Sequence, residues 1–254
     1  MSLLLLASIA FAQLPPPAGS LQGIAGPPPA IHVVVDEAVH PDVLRGFARK
    51  GITLWLQTRS NTLAASVVEN VARFDSALIQ LRPPLKDADA RVFARLPKAG
   101  LWARPDEALA LKGKLPGARK VAIELSGMLS DSVLATVKTV RPWLTRWQVP
   151  ADADVLMWGQ FAQLDGLKVA RVADALTPEA CERLKVQSVA VEAPGTTCLT
   201  GGWLLVDPSA EFKAVQQVTL KNPTVQLVFL VGADSDRARK ARELISQLTD
   251  APLR

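Results

Sequence analysis

The sequence predicts an α/β fold of repeated βα units with a mainly parallel sheet. The simplest form is a (β/α)8-barrel-like domain, with an open βα solenoid as the alternative. Three observations carry this expectation. Strand-like segments recur along the chain, most of them starting roughly 19 to 25 residues apart, the length of one short strand, one short helix and two tight links. The stretches between them carry helix-start signals. The first strand-to-helix turn, DEAVHPD, holds no glycine, which removes a doubly wound dinucleotide-binding sheet with its glycine-rich first turn. A barrel uses eight strands in typically about 250 residues, whereas a solenoid takes any number. Ten strand-like segments are visible, so a neat eight-stranded barrel requires two of them to form a hairpin or an extra layer.

In order, residues 1–12 (MSLLLLASIAFA) form an apolar run that ends in Ala10-Phe11-Ala12, the small-x-small pattern cut by a signal peptidase. The run is too short to span a bilayer, and it lacks the usual basic residue ahead of the apolar core. Residues 13–30 are rich in Pro and Gly and uncharged, as expected of an extended linker. Residues 31–254 then form a single α/β domain. The expected strands are IHVVVDE (31–37), ITLWLQTR (52–59), SALIQLR (76–82), GLWAR (100–104) and KVAIELS (120–126). They continue with WLTRWQV (143–149), KVARVAD (168–174), SVAVEA (188–193), WLLVD (203–207) and VQLVFLVG (225–232).

Between them, residues 83–96 open with Pro and acidic residues, and 130–137 open with Ser130. Residues 177–184 have Thr177 as cap and Pro178 at the first helical position, and 235–244 place Asp236 early and basic residues late. Ile79, Leu81 and Leu85 share their spacing with Ile123, Leu125 and Leu129, which marks matching strand-to-helix corners. Residues 151–166 fit helix or strand.

Composition limits the function classes. Hydrophobic residues at 49% with 21% charged describe a globular chain. The net charge of +5 comes without a basic run, so a solvated surface is expected and no nucleic-acid partner; the basic helix 237–242 carries no aromatic residue. Six Trp and no Tyr leave stacking surfaces but no phenol for acid–base work. Two histidines, His32 and His40, fall in no HxH or HExxH pattern, so no metal site is expected. A Ser elbow and a phosphate loop are both lacking: Gly201-Gly202 has neither the lysine nor the spacing. No cofactor is expected.

Period-two alternation separates two faces in the strands. One carries Leu54, Leu56, Ile79, Leu81, Ile123 and Leu125; the other carries Trp55, Gln57 and Arg59, then Gln80 and Arg82, then Trp102 and Arg104, then Glu124. With the apolar face under the helices, the polar face lines a barrel interior or a concave sheet. With Asp36, these residues suit a non-catalytic protein that binds a glycan or another hydroxylated or anionic small molecule, stacked on Trp and held by Arg. A self-satisfied network is the plainer reading, in which the arginines pair with Asp36, Glu124 and the strand amides. A glycoside-hydrolase-type enzyme is the alternative function, with Glu124 and Glu192 as the carboxyl pair at the strand ends.

Cys181 and Cys198 stand in the C-terminal third. Helix starts and strand ends share one face of a βα repeat, so an exported, secreted or periplasmic protein is expected to join them as a disulfide. No transmembrane segment is expected, and oligomeric state stays open.

Overall fold

The computed structural model of the chain describes residues 30–58, 63, 65–96, 98–115, 120–173, 177–186, 189–194 and 202–250. The expected signal peptide and nearly all of the linker, together with Arg59, Asp174, Cys198 and Gly201, lie outside the described residues.

All ten strand-like segments are strands. They are β1 (Ile31–Asp36), β2 (Ile52–Gln57), β3 (Ser76–Gln80), β4 (Ala99–Ala103), β5 (Val121–Ser126), β6 (Leu144–Gln148), β7 (Leu167–Arg171), β8 (Val189–Ala193), β9 (Trp203–Val206) and β10 (Gln226–Gly232). Each is parallel to the next. β10 then pairs with β1, which closes the ring and removes the open solenoid. The barrel-like fold therefore stands, with ten strands in the ring and neither a hairpin nor an extra layer among them.

The helices described are α1 (Pro41–Arg45), α2 (Ala65–Val71), α3 (Asp87–Ala94), α4 (Pro105–Lys112), α5 (Asp131–Val140), α6 (Val155–Ala162), α7 (Pro178–Val186), α8 (Phe212–Lys221) and α9 (Ser235–Asp250). Local chemistry sets their starts. The Ser130 hydroxyl accepts from the Val133 N–H at 3.4 Å, Asp154 from Met157 at 2.8 Å and Thr177 from Ala180 at 3.3 Å. The Asp154 cap decides the ambiguous stretch 151–166 in favour of a helix. In α9 the buried residues Ala238, Ala241, Leu244, Ile245 and Leu248 share one stripe, while Arg237 and Arg239 face solvent.

Between β8 and β9 no helix is described. The registers give the reason this link can be short. β2 and β3 pair Thr53 with Ser76, start beside start. In β8 and β9, Glu192 near the end of one strand pairs with Trp203 at the start of the other. The chain therefore does not have to return the length of a strand.

The strand faces alternate as expected. Ile31, Val33, Leu54, Leu56, Ile79, Ile123 and Phe229 point outward and pack with helix residues such as Leu44, Phe93, Leu111, Val137 and Phe161 in one continuous core. Leu81, Leu85, Leu125 and Leu129 at the matching corners are also buried. A second, inner cluster holds Trp55, Leu78, Trp102, Ala122, Leu144, Val169, Trp203 and Val228.

Registers and alternation together sort the inward residues into tiers, each drawn from every second strand, as in smaller parallel barrels. One full tier low in the barrel is His32, Leu78, Ala122, Val169 and Trp203. Above it lie Trp55, Trp102, Arg146, Glu192 and Val228, and above those Val34, Gln80, Glu124, Arg171 and Leu205. The uppermost of these tiers is half-buried throughout. It forms the floor of a mouth that opens at the carboxyl ends of the strands.

Gly100 marks how tightly the lower lumen is filled. A Cβ there would lie 2.5 Å from the Lys120 carbonyl oxygen and 2.8 Å from Leu78 Cδ2. Gly100→Ala is therefore expected to destabilise the barrel by about 1–3 kcal/mol, read as a lower urea midpoint with unchanged far-UV circular dichroism. An unchanged midpoint would show that the wall gives way freely.

Candidate functional site

Most of the deeply buried inward polar residues form two connected groups. In the lower one, the Trp55 indole N–H donates to His32 Nδ1 at 3.0 Å. Indole can only donate, so His32 Nδ1 is the bare nitrogen and Nε2 carries the proton. That N–H donates to Gln226 Oε1 at 2.6 Å. The Trp203 ring stacks on the imidazole with centroids 4.4 Å apart. Burial disfavours the imidazolium and lowers the His32 pKa to about 4, against a smaller upward pull from the Gln226 hydrogen bond.

The upper group centres on Arg146 of β6, whose side chain is 3% exposed. Its Nε donates to Glu192 Oε2 at 2.6 Å and its Nη2 to Glu192 Oε1, a two-point clamp on a fully buried carboxylate. Nη1 lies 3.6 Å from Glu124 Oε1, and the guanidinium carbon sits 5.7 Å from the centre of the Trp55 ring. Burial works against the charge on Arg146, but the attraction and hydrogen bonds of Glu192, with help from Glu124, outweigh it and raise the pKa. Trp102 donates its indole N–H to Glu124 Oε2 at 2.8 Å. Arg171 of β7 reaches Glu192 from above, with Nε 3.7 Å from Oε1.

Several residues chosen from the sequence meet in this lumen. Trp55 and Trp102 are buried at 1% and 6% exposure, Gln57 and Gln80 are half-buried at the ends of β2 and β3, and Glu124 and Glu192 converge on one guanidinium. Asp36 ends β1 half-buried and accepts from the Ala38 N–H at 2.8 Å. The arginines behave differently. Arg82 is exposed beyond β3. Arg104 precedes α4 and pairs with Glu107 of that helix at 3.1 Å, while the Glu107 carboxylate also accepts from the Arg104 N–H at 3.0 Å. Arg146 and Arg171, which do enter the barrel, were not among the expected site residues. Their signal is the same alternation carried two strands further: Leu144, Arg146 and Gln148 share a face, as do Val169 and Arg171. Among the described residues no group of three or more His, Cys, Asp or Glu side chains could hold a metal ion.

No protein-family model matches the sequence, and no curated protein matches it. The fold is similar to solved structures. A protein from Aquifex aeolicus VF5 is 9% identical with a TM-score of 0.49, covering 89% of this chain and 95% of that one. Two structures of tryptophan synthase from Mycobacterium tuberculosis are each 13% identical, with TM-scores of 0.47 and 0.48, covering 89% of this chain and 93% of theirs.

The geometry of the lumen corrects the expectation of a glycan or other hydroxylated or anionic ligand on an open strand face, together with its glycoside-hydrolase alternative. The face is closed into a lumen. Trp55 has the guanidinium of Arg146 over its ring and Trp102 at its edge, 5.4 Å between ring centroids, so neither indole is an open sugar platform. Glu192 is sealed and clamped, so two carboxyls do not face each other across an open cleft as glycoside hydrolysis requires.

Two outcomes follow from the lumen chemistry. Glu192→Gln removes the main counter-charge of buried Arg146, leaving only Glu124 at 3.6 Å, and is expected to cost about 3–5 kcal/mol in urea unfolding. Arg146→Met combined with Glu192→Leu is expected to cost less than that single change; equal or greater loss would deny that the uncompensated charge is the cause.

His32 favours its neutral form when folded, with a pKa of about 4 against 6.5 for the free side chain. The unfolded chain therefore binds the extra proton first. Stability from this group is complete above pH 6.5 and falls by roughly 3 kcal/mol as pH drops towards 4. Urea midpoints between pH 7 and 4 are expected to fall more steeply in the wild type than in His32→Gln, and parallel curves would refute the assignment.

Proposed function

We propose that the chain is an enzyme of the acid–base type, working on a small molecule at the carboxyl-end mouth of the barrel. Glu124 is the proton-transferring carboxylate and Arg171 the charge set beside it. The observation that carries this is the placement of these two side chains in the same half-buried tier. Glu124 is 25% exposed and Arg171 29% exposed, and they stand on alternate strands at one height. A carboxylate with accessible lone pairs can take a proton from a bound molecule. A neighbouring guanidinium in a water-poor site stabilises the negative charge that this leaves behind. Parallel barrels place their reacting groups at this end.

Glu192 has a different part. Fully buried and joined to both Arg146 and Arg171, it positions the two guanidinium groups and does not itself meet a substrate. Arg146 and the Trp102 N–H in turn orient Glu124. The lower tiers, packed with Trp and His, close the barrel from below.

The test is turnover of a mixed small-metabolite extract followed by untargeted mass spectrometry. Wild-type protein is expected to deplete at least one metabolite and raise another. Glu124→Gln, with its melting temperature retained, is expected to lower that rate by about a hundredfold or more. No change by the wild type, or equal turnover by the variant, would remove the reading.

Export belongs to the same proposal. Residues 1–12 act as a signal peptide ahead of the 13–30 linker and the domain, and Cys181 bonds to Cys198 in the secreted or periplasmic protein. Cys181 is buried at the start of α7, and no free cysteine occurs among the described residues. N-terminal sequencing of the exported protein is expected to begin at Gln13, with one disulfide by non-reducing mass spectrometry. A retained Met1 or two free thiols would contradict it.

A further inference from the structure

We infer that the mouth is built for a small zwitterion with an apolar body, a compound that carries an ammonium and a carboxylate on one carbon and a branched hydrocarbon beyond it. The inference rests on the reading of this mouth as the working site and specifies what enters it.

Around the tier that floors the mouth, the side chains run Val34, Gln80, Glu124, Arg171 and Leu205, from β1, β3, β5, β7 and β9 in turn. The chemistry of that order is asymmetric. Gln80 presents a buried Oε1 that has no hydrogen-bond donor among the described residues, and an orphaned buried acceptor is costly unless a donor reaches it. Glu124 follows with its carboxylate, and Arg171 after that with a guanidinium whose Nε lies 3.7 Å from Glu192 Oε1. One arc thus offers acceptors, then a carboxylate, then donors. An ammonium fits the Gln80 and Glu124 end, and a carboxylate fits Arg171, with the exposed Gln148 amide beside it in register. Glu124, between them, faces the carbon that bears both groups.

The opposite arc is hydrocarbon. Val34, Leu205 and Leu230 are partly buried and pack against the inner apolar cluster, and they line the mouth where β1, β9 and β10 adjoin. A ligand of one charge would leave either Arg171 or the Gln80–Glu124 end unanswered. A zwitterion without an apolar body would leave this arc wet.

Calorimetric titration and thermal shift with four probes test the inference: L-leucine, isocaproate (its deaminated analogue), isopentylamine (its decarboxylated analogue) and glycine. L-leucine is expected to bind at millimolar concentration, and each of the other three about tenfold more weakly or worse. Arg171→Gln is expected to weaken L-leucine about tenfold without affecting isopentylamine. Gln80→Leu is expected to weaken L-leucine and isopentylamine without affecting isocaproate.

Absence of L-leucine binding, equal binding of the single-charge analogues, or variants that ignore these distinctions would overturn the inference. The two readings fail separately. Turnover that depends on Glu124 without zwitterion binding keeps the enzyme and removes the ligand class. Selective L-leucine binding by a protein that converts nothing in the extract keeps the ligand class and removes the enzyme.

Discussion

Ten parallel strands in one ring enclose more space than eight. Barrel diameter grows roughly linearly with strand number, so the lumen is about a quarter wider than that of the common eight-stranded form. Aliphatic side chains that fill the smaller ring would leave voids here, and voids cost contact energy on every side. The chain answers with bulk. Trp55, Trp102 and Trp203 lie inside the barrel, Arg146 extends over Trp55, and His32 is stacked under Trp203. Each of these large groups brings a polar end that calls for a partner; Trp55, Trp102, Arg146 and His32 find one, while the Trp203 indole N–H has none among the described residues. The hydrogen-bonded chain through the lumen follows from its width.

That chain accounts for a costly buried ion pair. Arg146 and Glu192 are both stripped of water, and their mutual clamp offsets a desolvation cost that neither could bear alone. The pair also has a directional effect. It fixes the guanidinium so that its remaining edge points at Glu124, which already accepts from Trp102. A flexible acid at the mouth is thereby given a defined position by groups that never see solvent.

The fold was legible because period-two patterning is strong in short buried strands. Nine of the ten strands fall within about two residues of their expected places, β7 ending three residues early, and the inward and outward faces of β2 and β3 are those read from Leu54, Trp55, Ile79 and Gln80. The site was legible in part. Trp55, Gln80, Trp102, Glu124 and Glu192 do share one lumen, since alternation says which side a residue faces. Alternation cannot say whether a strand-end arginine continues upward or folds back on the next helix. Arg104 folds back because Glu107 sits one turn into α4. Arg146 was overlooked because it is flanked by Thr145 and Trp147 in a segment that reads as core. Ring closure also had to come from three dimensions, since the ten registers sum around a circle that no single segment reveals.

The stagger between β8 and β9 has a mechanical consequence. Among the described residues that junction is held by two register pairs, Glu192 with Trp203 and Ala193 with Leu204, whereas β1 and β2 share six. A closed hoop under thermal agitation parts where its stitching is sparsest. Glu192, one of the two residues stitched there on β8, is also the anchor of Arg146. Momentary parting of this seam would therefore admit water to the charged centre of the barrel before any other wall yielded.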